Sequence, residues 1–435
     1  MQAIESDSTA VFERFESNVR SYSRSFPAVM STAREAIIRT EDGRELIDFL
    51  SGAGALNYGH NPTVLRNAIT AYIQNDGIVH ALDLWTPAKR RFIEVFNDLI
   101  LAPRGLAYKY QFPGPTGANA IEAAFKLARK VTGRHSIVAF TNAFHGMSLG
   151  AASATANSYF RDSAGLPLFG TAFLPFDGYH GAEIDTVALA EKYMSDRASG
   201  FDEPAAFVVE TVQGEGGINV ATAPWLQRIA SLAKKLGALL IVDDVQMGCG
   251  RTGSFFSFDE AGVQPDIIVL SKSLSGFGLP LSLLLMRPEV DVWEPGQHNG
   301  TFRGNNLALV TAAAALEAFW SNDELQKATY RKGLHMAARA RSIAALIEAS
   351  PADVRGRGMA VGLDVSDPAL AATIARLAFD AGLIIERCGS KDEVLKLFPP
   401  LTISDDVLDR GLDILEAATM RALTANNMME KSLER

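Results

Sequence analysis

"APWLQRIASLAKKLGALLIVDDVQ", residues 223 to 246, decides the fold class. Up to Gly237 the stretch is an amphipathic helix with a glycine stop. "ALLIVDDVQ" then reads as a buried strand that ends on two carboxylates, Asp243 and Asp244. The same alternation recurs on both sides. "TGANAIEAAFKLARKVTG" (116–133) spaces Ile121, Phe125, Leu127 and Ala128 as one helical face, and "HSIVAF" (135–140) follows as a strand. "AAFVVE" (205–210) and "DIIVLSK" (266–272) are further apolar runs of strand length. Strands separated by helices of this length form a parallel α/β sheet, whose working residues stand at the C-terminal strand ends.

The expected architecture is therefore α/β: a large domain with a mostly parallel central sheet and a smaller α+β domain. The 435 residues are too many for one ordinary core. "AREAIIRTEDGRELIDFLSG" (33–52) predicts a hairpin around the turn signal "EDG", and "NLALVTAAAALEAFW" (306–320) a long Ala-rich helix. Beyond it, helices alternate with short strands such as "MAVGLDV".

Composition excludes several classes. A hydrophobic content of 48% and a charged content of 21% are those of a soluble globular protein. The net charge of −9 leaves no basic surplus for nucleic acid or an anionic membrane. No apolar run approaches the roughly 18 residues that cross a bilayer. "MQAIESDSTAVFERFESNVR" is unlike a signal or transit peptide, so the sequon "HNGT" at 298–301 is idle. Two cysteines, Cys249 and Cys388, imply neither a disulfide framework nor a zinc site. The expected setting is the cytoplasm.

Within "DIIVLSKSLSGFGLPLSLLLM" (266–286) one amine, Lys272, closes a buried strand between Ser271 and Ser273. A lysine so placed ordinarily snorkels to water. Desolvated, it is instead a nucleophile toward an aldehyde. Pyridoxal phosphate is the best-known such aldehyde, and it also needs an anion site, a carboxylate for its ring nitrogen and an aromatic face. Thr116-Gly117-Ala118-Asn119 opens a helix, where free N–H groups attract phosphate, although an ordinary N-cap looks the same. Asp243 is the carboxylate, and Phe144, with His145 beside it, the aromatic. Each has a structural alternative; their order and strand-end placement agree. "GCGRTG" (248–253) fits G-x-G-x-x-G, but "SFFSFDEAG" after it opens no helix, so a dinucleotide site is not expected.

"TGANAIEAAFKLAR", "FHGMSLG", "VVETVQGEGG", "IVDDVQMGCGRTG", "SKSLSGFGLPL" and "NGTFRGNNLA" resemble, in order and spacing, the class III (ω-) aminotransferases of fold-type I. The resemblance spans nearly the whole chain. "FERFESNVRSYSRSFPAV", "DFLSGAGALNYGHN" and "DEVLKLFPPLTI" are similar to the members that act on diaminobutyrate and 2-oxoglutarate, including those of ectoine biosynthesis. The resemblance implies pyridoxal phosphate as cofactor, with Lys272 as its Schiff-base lysine and Asp243 as partner of the pyridine nitrogen. It implies Gln246 near the phenolic oxygen, Gly117 and Ala118 at the phosphate, and Phe144 stacked on the ring. Thr301 matches a threonine that reaches the phosphate of a neighbouring subunit, so a homodimer or higher homo-oligomer is expected. Glu215 and Arg355 match a Glu–Arg pair that handles two substrates. The implied division is 1–60 as a segment joining the small domain, 61–315 as the cofactor domain and 316–435 as the small domain.

The implied reaction moves the amino group of L-glutamate to L-aspartate 4-semialdehyde, giving L-2,4-diaminobutyrate and 2-oxoglutarate. A different ω-amino substrate and an aminomutase are the alternatives on this scaffold. A cofactor-binding regulator is disfavoured, since no basic helix-turn-helix precedes the fold. One departure stands out: Met147 occupies a position that holds a substrate-binding arginine in many relatives. Trp85 is also bulkier than expected.

Overall fold

The computed structural model describes residues 9–347 and 352–433. The first eight residues, read above as lacking a targeting signal, lie outside the described residues. A seven-stranded sheet forms the centre, in the order Lys109–Gln111, Leu283–Met286, Ile267–Leu270, Leu239–Asp243, Pro204–Val209, Ser136–Phe140, Thr171–Leu174. Only Leu283–Met286 runs against its neighbours. The rest are parallel.

The inner strands are almost continuously apolar because both faces are covered, whereas the edge strand Lys109–Gln111 is polar and partly exposed. Along them, successive side chains enter different cores. Ile137, Val208, Ile241 and Val269 pack with Ile121, Phe125 and Leu127 of the helix Gly117–Thr132. Val138, Phe207, Val242 and Ile268 pack on the other face with Leu226 and Ile229 of the helix Ala223–Leu236. The period of two of the pleat thus appears in space although hydropathy hides it.

The hairpin around 41–43 forms as expected, with Ile37–Thr40 antiparallel to Glu45–Asp48. Its far strand then pairs in parallel with Leu383–Ile384, so the beginning of the chain is hydrogen-bonded to a segment near its end. A four-stranded antiparallel sheet contains Asp353–Arg357, Ala360–Asp364, Val394–Leu397 and Glu386–Cys388. The helices Glu324–Ala344 and Asp405–Leu433 belong to the same end of the chain.

The glycine-rich stretch 248–253 opens no helix; a 3₁₀ turn at Asp259–Ala261 is the next helical element. Its working residue is Arg251, which is completely buried. The guanidinium donates to the carbonyls of Met359 (3.1 Å) and Pro399 (2.6 Å) and to Asn57 Oδ1 (2.6 Å), and lies 4.0 Å over the Phe398 ring. One side chain therefore ties the sheet's strand-end loop to the early segment and to the later antiparallel sheet. Replacing it strands buried acceptors on three segments at once, each worth about 1–3 kcal/mol when left unsatisfied. Arg251→Met is expected to lower stability by about 3 kcal/mol, read as a fall in the urea midpoint. An unchanged midpoint would show that the three segments hold together without it.

Candidate active site

The C-terminal ends of the central strands frame a cavity of about 350 Å³, lined among others by Lys272, Asp243, Gln246, Phe144, Glu210 and Glu215. Parallel register makes this convergence automatic. Val242 stands level with Val209, and Asp243 with Val269, so the residues just beyond emerge side by side.

Lys272 leaves its strand through a sharp corner. Its own φ is +46°, the left-handed region that a non-glycine residue occupies only under constraint. The two serines supply that constraint. Ser271 Oγ donates to the Leu281 carbonyl (2.7 Å); Ser273 Oγ donates to the Gly54 carbonyl (2.7 Å) and accepts from the Asn57 amide (3.0 Å). The amine itself donates to the Ala53 carbonyl at 2.9 Å. Burial lowers its pKa, opposed by the nearby charge of Glu215.

The acceptors on Ala53 and Gly54 are presented by an unusual turn. Ser51, Gly52, Ala53 and Gly54 all have positive φ, at 50°, 57°, 53° and 88°. Two of the four carry side chains that disfavour this hand by roughly 1–2 kcal/mol each. Asp48 Oδ1 holds the turn by accepting from the Leu50 and Ser51 amides, and Ser51 Oγ donates to the Phe398 carbonyl. Gly54 has no alternative, because a Cβ there would lie 2.9 Å from the Phe398 ring.

Asp243 is buried and doubly held. Its Oδ1 accepts from the Val245 amide (3.1 Å), and its Oδ2 is 2.6 Å from Nδ1 of His145. Burial alone would lower the imidazole's pKa, but the Asp243 carboxylate outweighs it and raises the value. Nε2 of that ring is buried without a partner among the described residues. Glu210, which the sequence reading passed over, accepts from the amides of Phe144 (2.9 Å) and Gly214 (3.2 Å). Burial, together with Asp243, pushes its pKa up.

At the cavity's other side begins the helix Gly117–Thr132. Thr116 caps it by accepting from the Asn119 amide, leaving the first-turn N–H groups of Gly117 and Ala118 without a protein acceptor among the described residues. Phe144 lines the same cavity. Gln246 Nε2 donates to the Ala53 carbonyl and to Glu215, both at 3.0 Å.

Glu215 and Arg355, expected as a pair, are not in contact. Arg355 donates to the Gly217 carbonyl (2.7 Å) and pairs with Asp364 (2.9 Å), so its guanidinium is already engaged. The cation against Glu215 is Lys396, at 2.8 Å, whose side chain is completely buried and also lies 2.7 Å from Glu386. Tyr22 donates its hydroxyl to Glu386 (2.8 Å). Burial by itself would lower the Lys396 pKa, but the two carboxylates raise it well above the ordinary value. In return Lys396 and Lys272 hold Glu215 low, against the effect of burial. Lys396 sits inside a strand, "VLKL", where a single lysine reads as a snorkelling residue. No neighbouring residue marks it, because its carboxylate partner Glu215 is 181 positions away in the chain.

Thr301 is exposed and does not line the cavity of its own chain; its carbonyl accepts from, or faces, His80 Nε2 at 2.9 Å. Met147 is half exposed, and Trp85 is almost fully exposed at 98%.

The profile of the family Aminotransferase class-III matches residues 19–419, and the chain belongs to that family. It is 58% identical to an uncharacterized aminotransferase, y4qG, of Sinorhizobium fredii, over 96% of this chain and 93% of that protein. It is 56% identical to a diaminobutyrate–2-oxoglutarate transaminase of Nocardia farcinica, over 94% of each. Among solved structures, an ornithine aminotransferase from Toxoplasma gondii with partial occupancy of PLP at its active site superposes with a TM-score of 0.82. That match has 26% identity and covers 98% of this chain and 97% of that one. The chain is a pyridoxal-phosphate-dependent aminotransferase, and the residues present fit the cofactor. A buried amine, a buried carboxylate, an aromatic ring and a helix start with free N–H groups line one cavity.

Removing Lys396 leaves two half-buried carboxylates facing the same gap. Lys396→Gln is expected to cost about 3 kcal/mol, the scale on which breaking a buried ion pair is felt. Adding Glu386→Gln is expected to recover more than half of that loss in urea denaturation. Strictly additive losses would show that Glu215 and Glu386 do not share this cation.

Proposed function

We propose that the chain is a diaminobutyrate–2-oxoglutarate aminotransferase, taking the amino group of L-glutamate to the terminal aldehyde of L-aspartate 4-semialdehyde. The observation that carries this reading is Lys396, a buried cation shared by Glu215 and Glu386 beside Lys272. The two half-reactions make opposite demands on one place. Glutamate presents a carboxylate next to its reacting carbon, whereas 2,4-diaminobutyrate presents only hydrogen there. With Glu215 in contact, Lys396 is neutralised and the place suits the amine substrate. With Glu215 displaced, Lys396 remains charged, still held by Glu386, and accepts glutamate's carboxylate. Arg355, engaged by Asp364, is assigned to holding the Gly217 turn.

Pyridoxal phosphate, when bound, supplies the electron sink for the carbanion at the reacting carbon. Lys272 would hold the cofactor's aldehyde carbon, and its amine takes and returns the proton at the substrate's reacting carbon. Asp243, oriented by His145, would hold the proton on the ring nitrogen. Phe144 would cover the ring, Gln246 would stand at the phenolic oxygen, and the Gly117 and Ala118 amides would hold the phosphate. The reading keeps residues 1–60 with the small domain 316–435, against a cofactor domain at 61–315.

Thr301 completes the phosphate site of a partner subunit in this proposal, which makes the enzyme a homodimer. Its exposure, with that of Trp85 and Phe302, supports the assignment. The compartment would be the cytoplasm and the pathway that of ectoine. A deletion strain that still makes ectoine at the normal level would sink the latter.

The purified enzyme is expected to convert glutamate to 2-oxoglutarate only with an external aldehyde present, and to form diaminobutyrate from aspartate semialdehyde. Rearrangement of a single substrate would indicate an aminomutase instead, and a fully active monomer in sedimentation would remove Thr301 from its role. A second outcome bears on the switch. Glu215→Gln should leave the glutamate half-reaction as fast or faster and slow the diaminobutyrate half-reaction. The ratio of the two should change by roughly 10- to 100-fold in single-turnover absorbance, the worth of one charge-assisted contact. Equal losses in both halves would make the cluster purely structural.

A further inference from the structure

A second cavity of about 420 Å³ shares two lining residues, Phe144 and Glu215, with the cavity that holds Lys272. Its other lining groups include Asn157, Phe173, Tyr179 and Ser390, together with one cation, Arg161. Arg161 belongs to the short helix Ser158–Asp162. Its guanidinium lies 5.5 Å from the centre of the Phe173 ring and forms no ion pair among the described residues. Its Nε is enclosed and has no acceptor. The other charged group lining the space, Glu215, is already bonded to Lys396 and Gln246. An arginine held over a ring, with an enclosed donor unused, is a fork without its carboxylate.

The substrates supply one. Glutamate reacts at its α-carbon and carries a second carboxylate carbon three bonds away. Diaminobutyrate reacts at its terminal carbon, and its only carboxylate carbon is also three bonds away. The distal charge therefore falls at the same distance in both half-reactions, while the near position changes character. We propose that Arg161 binds this distal carboxylate in both halves, so that the second cavity is the fixed subsite and the Glu215–Lys396 contact the variable one. The proposal rests on the reading of the substrates given above. It accounts for an uncharged Met147 at the position where many relatives place an arginine: the charge is supplied from the neighbouring helix instead.

The test uses holoenzyme and two unreactive probes, glutarate with two carboxylates and its uncharged diamide, glutaramide. By titration calorimetry, Arg161→Gln is expected to weaken glutarate binding about 10- to 100-fold and to leave glutaramide unchanged. Arg161→Lys should retain part of the glutarate affinity, and Arg161→Met, which keeps the packing on Phe173, should behave as Gln does. In single-turnover assays the glutamate and diaminobutyrate halves should fall by the same factor, and L-alanine, lacking a distal carboxylate, should be untouched. Undiminished glutarate affinity in both the Gln and Met variants would overturn the proposal, as would a loss confined to one half-reaction. A wild-type enzyme that ignores diaminobutyrate yet loses glutarate on Arg161→Gln would instead refute the functional reading and leave the subsite standing.

Discussion

The contact from Lys272 to the Ala53 carbonyl is the point on which the site turns. An amine removed from water must have an acceptor, and this acceptor comes from a turn of the opposite hand to an ordinary helix. That turn stays in place because Asp48 caps it and Ser51 ties it to the carbonyl of Phe398. Phe398 in turn lies under Arg251 and follows the strand that carries Lys396. The Lys272 amine, its acceptor and the buried cation Lys396 are thus connected through a few backbone carbonyls.

Charge balance inside the cavity follows a similar economy. Most of its ionic groups lean on another, Asp243 on His145 and Glu215 and Glu386 on Lys396, while Glu210 is held by two backbone amides. Separating any of these partners without replacement leaves a bare charge in a poorly solvated place. In the proposed switch, substrate carboxylates are the replacements that can enter and leave, and specificity for an acid or an amine end follows from which carboxylate Lys396 holds.

Much of this was legible in the residues. The strands announced themselves because sheets covered on both faces need continuous apolar runs, and Asp243 and Lys272 stood out as the polar groups that end two of them. The helix start at Gly117 was legible for the same local reason. Lys396 was not, since its carboxylate partner Glu215 is 181 positions away and strand neighbours give no hint of it. The pairing expected for Arg355 failed to form because its own sheet offers a nearer carboxylate, Asp364, on the facing strand. Ser51 and Ala53 carry no mark of a left-handed turn, as neither residue type favours one. Glu210 was missed although it follows an apolar strand just as Asp243 ends one, so the same rule applied to every strand would have found it.

The distribution of these groups along the chain has a bearing on its synthesis. Asp243 and Lys272 leave the ribosome while Lys396 and the strand partner of Glu45–Asp48 are still untranslated. Until the last part of the chain arrives, the left-handed turn lacks the Phe398 carbonyl, and Arg251 lacks two of its three acceptors. A nascent chain therefore carries this amine solvated and protonated, before the burial that lowers its pKa exists. Capture of the aldehyde cofactor in its final pose would wait for the strands Leu383–Ile384 and Val394–Leu397, so a correctly seated cofactor marks a chain in which both are already in place.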